Sequence, residues 1–174
     1  IMSHLVESAN NTLEQLAHFL SQINEQQYCT ALPIFSESTV GMHVRHIIEF
    51  YQCFIKGVQQ GEMDYDARER SLLQETNIAY ARECIHNLLI DLSSIQNNKP
   101  IVLIASQKSA TQKFQIESNI YRELLYVIEH TIHHLAIIKM GCMSAFPNIP
   151  FHKDFGVAFS TIKFRESVHS NLSA

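Results

Sequence analysis

Two of the ten histidines in this 174-residue sequence have a spacing that suits metal chemistry. His130 and His134 are four residues apart in the segment EHTIHHLAII, so a helix would place both rings on one face, close enough to hold one ion. Neutral imidazole suits Zn, Ni, Fe and Cu as a ligand. The pair therefore predicts part of a site for one divalent metal ion, with Zn, Ni or Fe as candidates. The alternative is that the histidines only pack in the core or lie on a solvated helix face.

A third ligand can come from His43 or His46, which are three residues apart in TVGMHVRHIIEFY. On a helix, His43 projects into the middle of the apolar face between Val40 and Ile47, whereas His46 lies near the edge of that face. A ring at the edge can reach a water-accessible cavity, which a metal with exchangeable positions requires. The expected third ligand is therefore His46, and His43 is a candidate for supporting the ligands or contacting a substrate.

Long helices must carry these residues, because glycine and proline are scarce, at five and four. Apolar residues that recur every three or four positions predict helix 1 over about Asn11–Asn24, helix 2 over about Thr39–Gln60, helix 3 from about Leu72 to Asn97, and helix 4 from just after Ser118 to about Met140. Ser36 or Ser38 can cap helix 2, and Gly61 and Gly141 are the expected stops of helices 2 and 4. Between Ile101 and Glu117 the period favours a small hairpin, and beyond Gly141 we expect an irregular tail.

The positions of the histidines along their helix axes predict the relative direction of helices 2 and 4. His46 lies about two turns after the start of helix 2, and His134 lies about two turns before the end of helix 4. Only antiparallel helices bring the two rings level. We therefore expect helices 2 and 4 to be antiparallel within one all-α domain spanning residues 1–174.

Composition excludes several other classes of protein. Apolar residues make up 46% of the chain and charged residues 17%, with a net charge of -4 and no dense run of Lys or Arg, so we expect no nucleic-acid partner. Apolar stretches stop short of the roughly 18 residues that span a bilayer, and the N-terminus lacks a signal-peptide pattern, so a cytoplasmic location without membrane contact is expected. The four cysteines form no C-x-x-C pair and are expected to be reduced thiols: Cys29, Cys53, Cys84 and Cys142.

The pairing of TVGMHVRHIIEFY with EHTIHHLAII, in this order and at this separation, resembles the DinB/YfiT-like superfamily of helical-bundle metalloproteins. The resemblance covers almost the whole chain and implies a four-helix bundle in up-down-down-up order. Carried onto this sequence, the ligand of helix 2 falls on His46 and the later pair falls on His130 and His134. Many members continue with Arg-Gly-Gln where this chain has Leu135-Ala136-Ile137, so a role of that Arg does not carry over.

Family members of known activity are thiol-dependent transferases or isomerases, in which a metal-bound thiol such as bacillithiol or mycothiol attacks an electrophile. The resemblance therefore implies a metal-dependent transferase or hydrolase, with a small electrophile as substrate and a low-molecular-weight thiol as partner. The alternative is a non-catalytic helical module that binds a metal or small ligand. A homodimer is expected in either case. An open coordination position distinguishes a catalytic site from a structural site that is closed by a fourth protein ligand.

Further residues could contact a substrate or support the ligands. The connector YDARER contains Arg68, whose planar guanidinium can bind a carboxylate or phosphate, and Tyr65 and Asp66, which could orient a ligand. A solvated cluster of ion pairs is the alternative. His133 is expected to be a neighbour of the ligands. Glu123 lies two turns before the histidine pair and could accept from a ring N–H or form a surface ion pair.

Overall fold

The computed structural model describes residues 1–106 and 112–172. Their elements in chain order are α1 (Met2–Leu20), α2 (Glu25–Cys29), a 3-10 turn (Pro33–Phe35), α3 (Val40–Gln60), β1 (Glu62–Asp64), α4 (Leu72–Thr76), α5 (Ile78–Ser93), β2 (Pro100–Ala105), β3 (Phe114–Asn119), α6 (Ile120–Ala145) and α7 (Phe159–Leu172).

A three-stranded mixed sheet overturns the predicted all-α four-helix bundle, and the chain has an α/β fold. The strand order is β1-β2-β3, with β1 parallel to β2 and β2 antiparallel to β3. The β2–β3 pair occupies the segment of the predicted hairpin, whose tip at residues 107–111 lies outside the described residues. The prediction failed at β1, where Met63 pairs with Leu103 and is 1% exposed. A strand of three residues is too short to show an alternating period.

The core lies between the four long helices α1, α3, α5 and α6, which pack against one another. Their apolar faces supply most of the largest fully buried side chains, among them Tyr51, Phe19, Phe54, Leu13, Leu16, Leu20, Ile47 and Ile85. Burial of these faces is the main favourable contribution to folding, at about 25 cal/mol per Å² of apolar surface.

Helix α3, which carries His43 and His46, has well-defined ends. Thr39 caps its start, because the Thr39 hydroxyl accepts from the Met42 N–H at 3.0 Å. The prediction of Ser36 or Ser38 as the cap is therefore wrong. Gly61 ends the helix in the left-handed conformation, with φ of 77°, as predicted.

Helix α6, which carries His130 and His134, continues past the predicted stop at Gly141 to Ala145. Gly141 serves close packing instead of a left-handed turn. A Cβ at this position would lie 2.1 Å from the Phe35 ring, so only glycine lets the 3-10 turn approach the helix.

Three other predicted boundaries are wrong for local reasons. Helix α1 starts at Met2, well before the predicted start at Asn11, and ends at Leu20. Asn24, the predicted end, instead caps α2 by accepting from the Gln27 N–H. Predicted helix 3 is two helices, since the extended backbone and side chain of Asn77 cap α5. The predicted irregular tail contains α7, whose apolar residues form no buried stripe.

The ends of the helices place the sheet at one end of the core. The strands β1 and β2 follow the C-terminal ends of α3 and α5, and β3 leads directly into the N-terminal end of α6. Helix α6 therefore starts where α3 finishes.

Among the described residues, no helix combines the length and apolar character needed to cross a membrane.

Candidate metal centre

Three imidazole rings from two helices converge between α3 and α6. One ligating atom from each of His46, His130 and His134 lies within 4.8 Å of the other two. The ring centroids are 5.0 Å apart for His46 and His130, 4.5 Å for His46 and His134, and 4.7 Å for His130 and His134. This is a group of three nitrogen donors that could hold a metal ion.

The contacts confirm that α3 and α6 are antiparallel. His43 Nδ1 lies 3.1 Å from His134 Nδ1, and His46 Nε2 lies 2.8 Å from His130 Nε2. Moving forward along α3 therefore means moving backward along α6. The i, i+4 spacing on α6 puts both of its rings on the side that faces α3.

No fourth ligand closes the group. Within residues 1–106 and 112–172, the cluster of His, Cys, Asp and Glu donors contains only the three histidines, and each of them is half-buried. A tetrahedral or larger coordination shell would have at least one position left for water or a ligand. This arrangement is typical of catalytic sites rather than closed structural sites.

The three imidazoles are held in the neutral form that metal binding requires. Burial lowers the pKa of His46 to about 3, with a further lowering by the Arg68 charge and by neighbouring histidines. Burial and the adjacent histidines lower the pKa of His134 to about 2, and burial also lowers the pKa of His130. Each ring therefore has a lone pair available at neutral pH.

Arg68 fixes the tautomer of His46. The guanidinium of Arg68 hydrogen-bonds His46 Nδ1, and because a guanidinium can only donate, Nδ1 must be the acceptor. The proton of the neutral His46 ring is then on Nε2, which faces His130 Nε2. In this tautomer the Nε2 proton of His46 lies between the His46 and His130 rings, where a metal ion would bind.

His43 contacts His134 through its Nδ1 atom. If His134 carries its proton on Nδ1, it donates to His43 Nδ1 and keeps Nε2 free for a ligand. The His43 ring is held edge-on against Phe35, at a centroid distance of 4.7 Å. His43 Nε2 is buried without a hydrogen-bond partner among the described residues.

Aromatic rings surround the histidines on the side of the sheet. Phe50 stacks on His130 at 4.3 Å and on Tyr65 at 5.0 Å, and Tyr126 stacks on His130 at 5.7 Å. Sequence reasoning missed Phe50 and Tyr126. The signal was available, because Phe50 lies one turn after His46 and Tyr126 one turn before His130.

Glu123 anchors this aromatic wall. It is 1% exposed and accepts hydrogen bonds from the Tyr65 hydroxyl at 3.0 Å and the Ser118 hydroxyl at 2.5 Å. The expected ion pair is present, because Arg122 Nη1 lies 3.8 Å from Glu123 Oε1, but the carboxylate is buried and not on the surface. Among the described residues, no histidine ring hydrogen-bonds Glu123. Burial, followed by the charge of Glu123, raises the pKa of Tyr65, so its hydroxyl stays protonated.

The remaining predicted residues lie farther from the cluster. Asp66 is exposed and accepts from the Ser106 hydroxyl, without contact to a histidine. His133 is exposed, with its ring 5.4 Å from that of His134 and 6.4 Å from that of His130.

A cavity of about 290 Å³ adjoins the aromatic wall. Its lining combines the wall with the face of β2 and polar groups of the connector: Tyr65, Tyr126, Glu123, Arg122, Asp66, Leu103, Ile104, Ala105 and Ser106. Tyr126 is shared between the cavity and the stack on His130. The cavity is close to the lower end of the size range of small-molecule sites, roughly 300 Å³.

Comparison with known proteins finds a relative over part of the chain. No family model matches the chain, and no solved structure matches it. A similar curated sequence is FK506-binding protein 5 of Rhizopus delemar, which is 34% identical over 105 residues. The match covers 58% of this chain but 27% of that protein, so the chain spans about a quarter of the length of this relative.

Proposed function

We propose that His46, His130 and His134 hold one divalent metal ion, Zn, Ni or Fe, and that the chain is a metal-dependent enzyme of the DinB/YfiT-like type. The observation that carries the proposal is the convergence of three neutral imidazoles, with no fourth ligand among the described residues. The reaction we propose is a thiol-dependent transfer or a hydrolysis at a small electrophile. The support for the family is the pair of histidine segments quoted above.

A bound divalent ion would supply Lewis-acid chemistry, polarising an electrophile or stabilising a thiolate. The chain itself provides the donors and keeps them in place. His43 orients His134, and the stack of Phe50 and Tyr126 on His130 fixes the plane of that ring. A fixed ring pays less conformational entropy when it becomes a ligand.

The cavity beside Tyr65 and Tyr126 is the proposed place for the body of the substrate. Tyr126 lines the cavity and stacks on His130, and the lining combines apolar and aromatic side chains with the polar groups of Asp66, Ser106, Arg122 and Glu123. An apolar pocket with a few polar groups is the usual form of a small-molecule site. A substrate held there would have one end close to the histidines.

Metal analysis of the purified protein, prepared without a histidine tag, tests the metal site. We expect about one equivalent of a divalent metal per chain in the wild type, and loss of that metal in His46→Ala and His130→Ala. His133→Ala is the matched control, because this exposed histidine lies on the same helix outside the cluster. Equal metal content in all four proteins would contradict the assignment.

An activity screen tests the enzyme. The metal-loaded protein is incubated with bacillithiol or glutathione and a chromogenic electrophile, with His130→Ala as the inactive control. Metal-dependent turnover that disappears in the variant supports the transferase. Metal binding without any turnover would instead favour the non-catalytic module.

A further inference from the structure

Arg68 is a cation without a counter-ion beside the three histidines. Its side chain is half-buried, its guanidinium lies 5.1 Å from the centroid of the Phe50 ring, and one of its nitrogens contacts His46 Nδ1. Among the described residues, no Asp or Glu pairs with Arg68. Arg68 Nε is buried without a hydrogen-bond partner in the same part of the chain.

The two acidic residues nearest to Arg68 along its own cavity do not neutralise it. Glu49 and Glu69 line a space of about 130 Å³ together with Arg68. The carboxylate of Glu49 is instead engaged by the Ser71 N–H at 2.8 Å and lies 4.0 Å from Arg45 Nε. Glu69 is exposed to solvent.

Metal binding and the Arg68–His46 hydrogen bond exclude each other. If an ion binds His46 through Nε2, the ring proton must move to Nδ1, and two donors then face one another. If an ion binds through Nδ1, it takes the place of the guanidinium. In both cases the Arg68 donors lose their acceptor next to a doubly charged ion.

In both cases an oxyanion would supply the acceptor that the Arg68 donors have lost. Placed beside His46, it can accept from Arg68 and from His46 Nδ1–H, or it can bridge Arg68 and the ion. The ligand group contains no carboxylate, and no described Asp or Glu forms an ion pair with Arg68, so a bound ion and Arg68 would be two neighbouring cations. A planar guanidinium matches the two oxygens of a carboxylate or phosphate.

We propose that Arg68 and the bound ion together form a binding site for the carboxylate or phosphate group of a small ligand. The inference deepens the proposed function and rests on its metal site. Phe50 keeps the guanidinium near the histidines after it leaves His46, through the cation–π contact. Arg68 therefore favours anionic ligands and at the same time opposes the metal when no anion is present.

The test uses full-length, tag-free protein loaded with Co²⁺, whose visible absorption reports its ligands. Acetate, inorganic phosphate and the neutral acetamide are titrated into the wild type, Arg68→Met and Arg68→Lys. Arg82→Met is the matched control, because Arg82 is an exposed arginine on α5 outside the histidine cluster and the proposed substrate cavity. Metal affinity is measured separately by competition with a neutral polyamine chelator, in an amine buffer with chloride as the anion and no oxyanion.

Two opposite changes are expected in Arg68→Met. Its affinity for Co²⁺ rises at least tenfold, and the affinity of its Co²⁺ form for acetate or phosphate falls at least tenfold. Arg68→Lys keeps the charge, so its two affinities should lie between those of the wild type and Arg68→Met, while Arg82→Met behaves as the wild type. Comparing the affinities of the wild-type Co²⁺ form for acetate and for phosphate shows which oxyanion the site prefers.

The outcomes separate this inference from the metal site itself. Equal anion affinity in wild type and Arg68→Met, or equal binding of acetamide and acetate, overturns the inference while leaving the metal site intact. Failure of the wild type and of both Arg68 variants to bind Co²⁺ overturns the metal site, and the inference with it.

Discussion

Acid should destabilise the metal-free protein through two particular histidines. Burial lowers the pKa of His46 to about 3 and that of His134 to about 2, whereas both rings have a pKa near 6.5 in the unfolded chain. Above pH 6.5 both are neutral in both states and contribute nothing to the pH dependence. Below pH 6.5 the unfolded state binds the extra protons, so stability falls as pH decreases toward the folded pKa values.

The size of the effect follows from the pKa differences. Each histidine costs about 1.4 kcal/mol per pH unit below 6.5. Over the interval from 6.5 to 5.0 this amounts to about 4 kcal/mol for the two rings as an upper limit. Both rings are half-buried, so solvent screening reduces the expected loss to about 2 kcal/mol.

Urea unfolding at pH 7.5 and pH 5.0, with a chelator present, measures this loss. The double variant His46→Gln/His134→Gln removes both titrating rings, so its stability should fall by about 2 kcal/mol less than that of the wild type between the two pH values. The variant His4→Gln/His86→Gln, in which two exposed histidines are replaced, controls for loss of histidine in general. An equal loss in the wild type and the site variant would refute the reasoning.

Three further predictions concern the same region. Zn²⁺ at 100 times its dissociation constant should stabilise the wild type by about 2.7 kcal/mol, a rise in melting temperature of roughly 5–11 °C, and scanning calorimetry should find no rise in His130→Ala. His43→Leu removes the acceptor that orients His134, so isothermal titration should give about 10- to 100-fold weaker Zn²⁺ binding, with unchanged affinity contradicting the support role. Gly141→Ala would put a Cβ 2.1 Å from the Phe35 ring, and urea unfolding should detect a loss of about 1–3 kcal/mol; stability equal to wild type would mean that the 3-10 turn moves away freely.

The sequence alone determined the features that depend on local periodicity. The spacing of His130 and His134 placed two rings on one helical face, and the position of His46 at the edge of its apolar stripe selected it over His43. The antiparallel course of α3 and α6 also followed from counting turns. A helix repeats every few residues, so its faces can be read from neighbouring positions in the chain.

Tertiary structure decided the features that depend on residues far apart in the chain. Met63 becomes a strand residue only because Leu103 lies beside it, and three residues carry no period that reveals this pairing. The contact of Arg68 with His46 and Phe50 depends on how the connector folds back over α3. Which groups surround the three imidazoles, and therefore which ligands the site favours, was fixed by packing between elements and not by spacing within one.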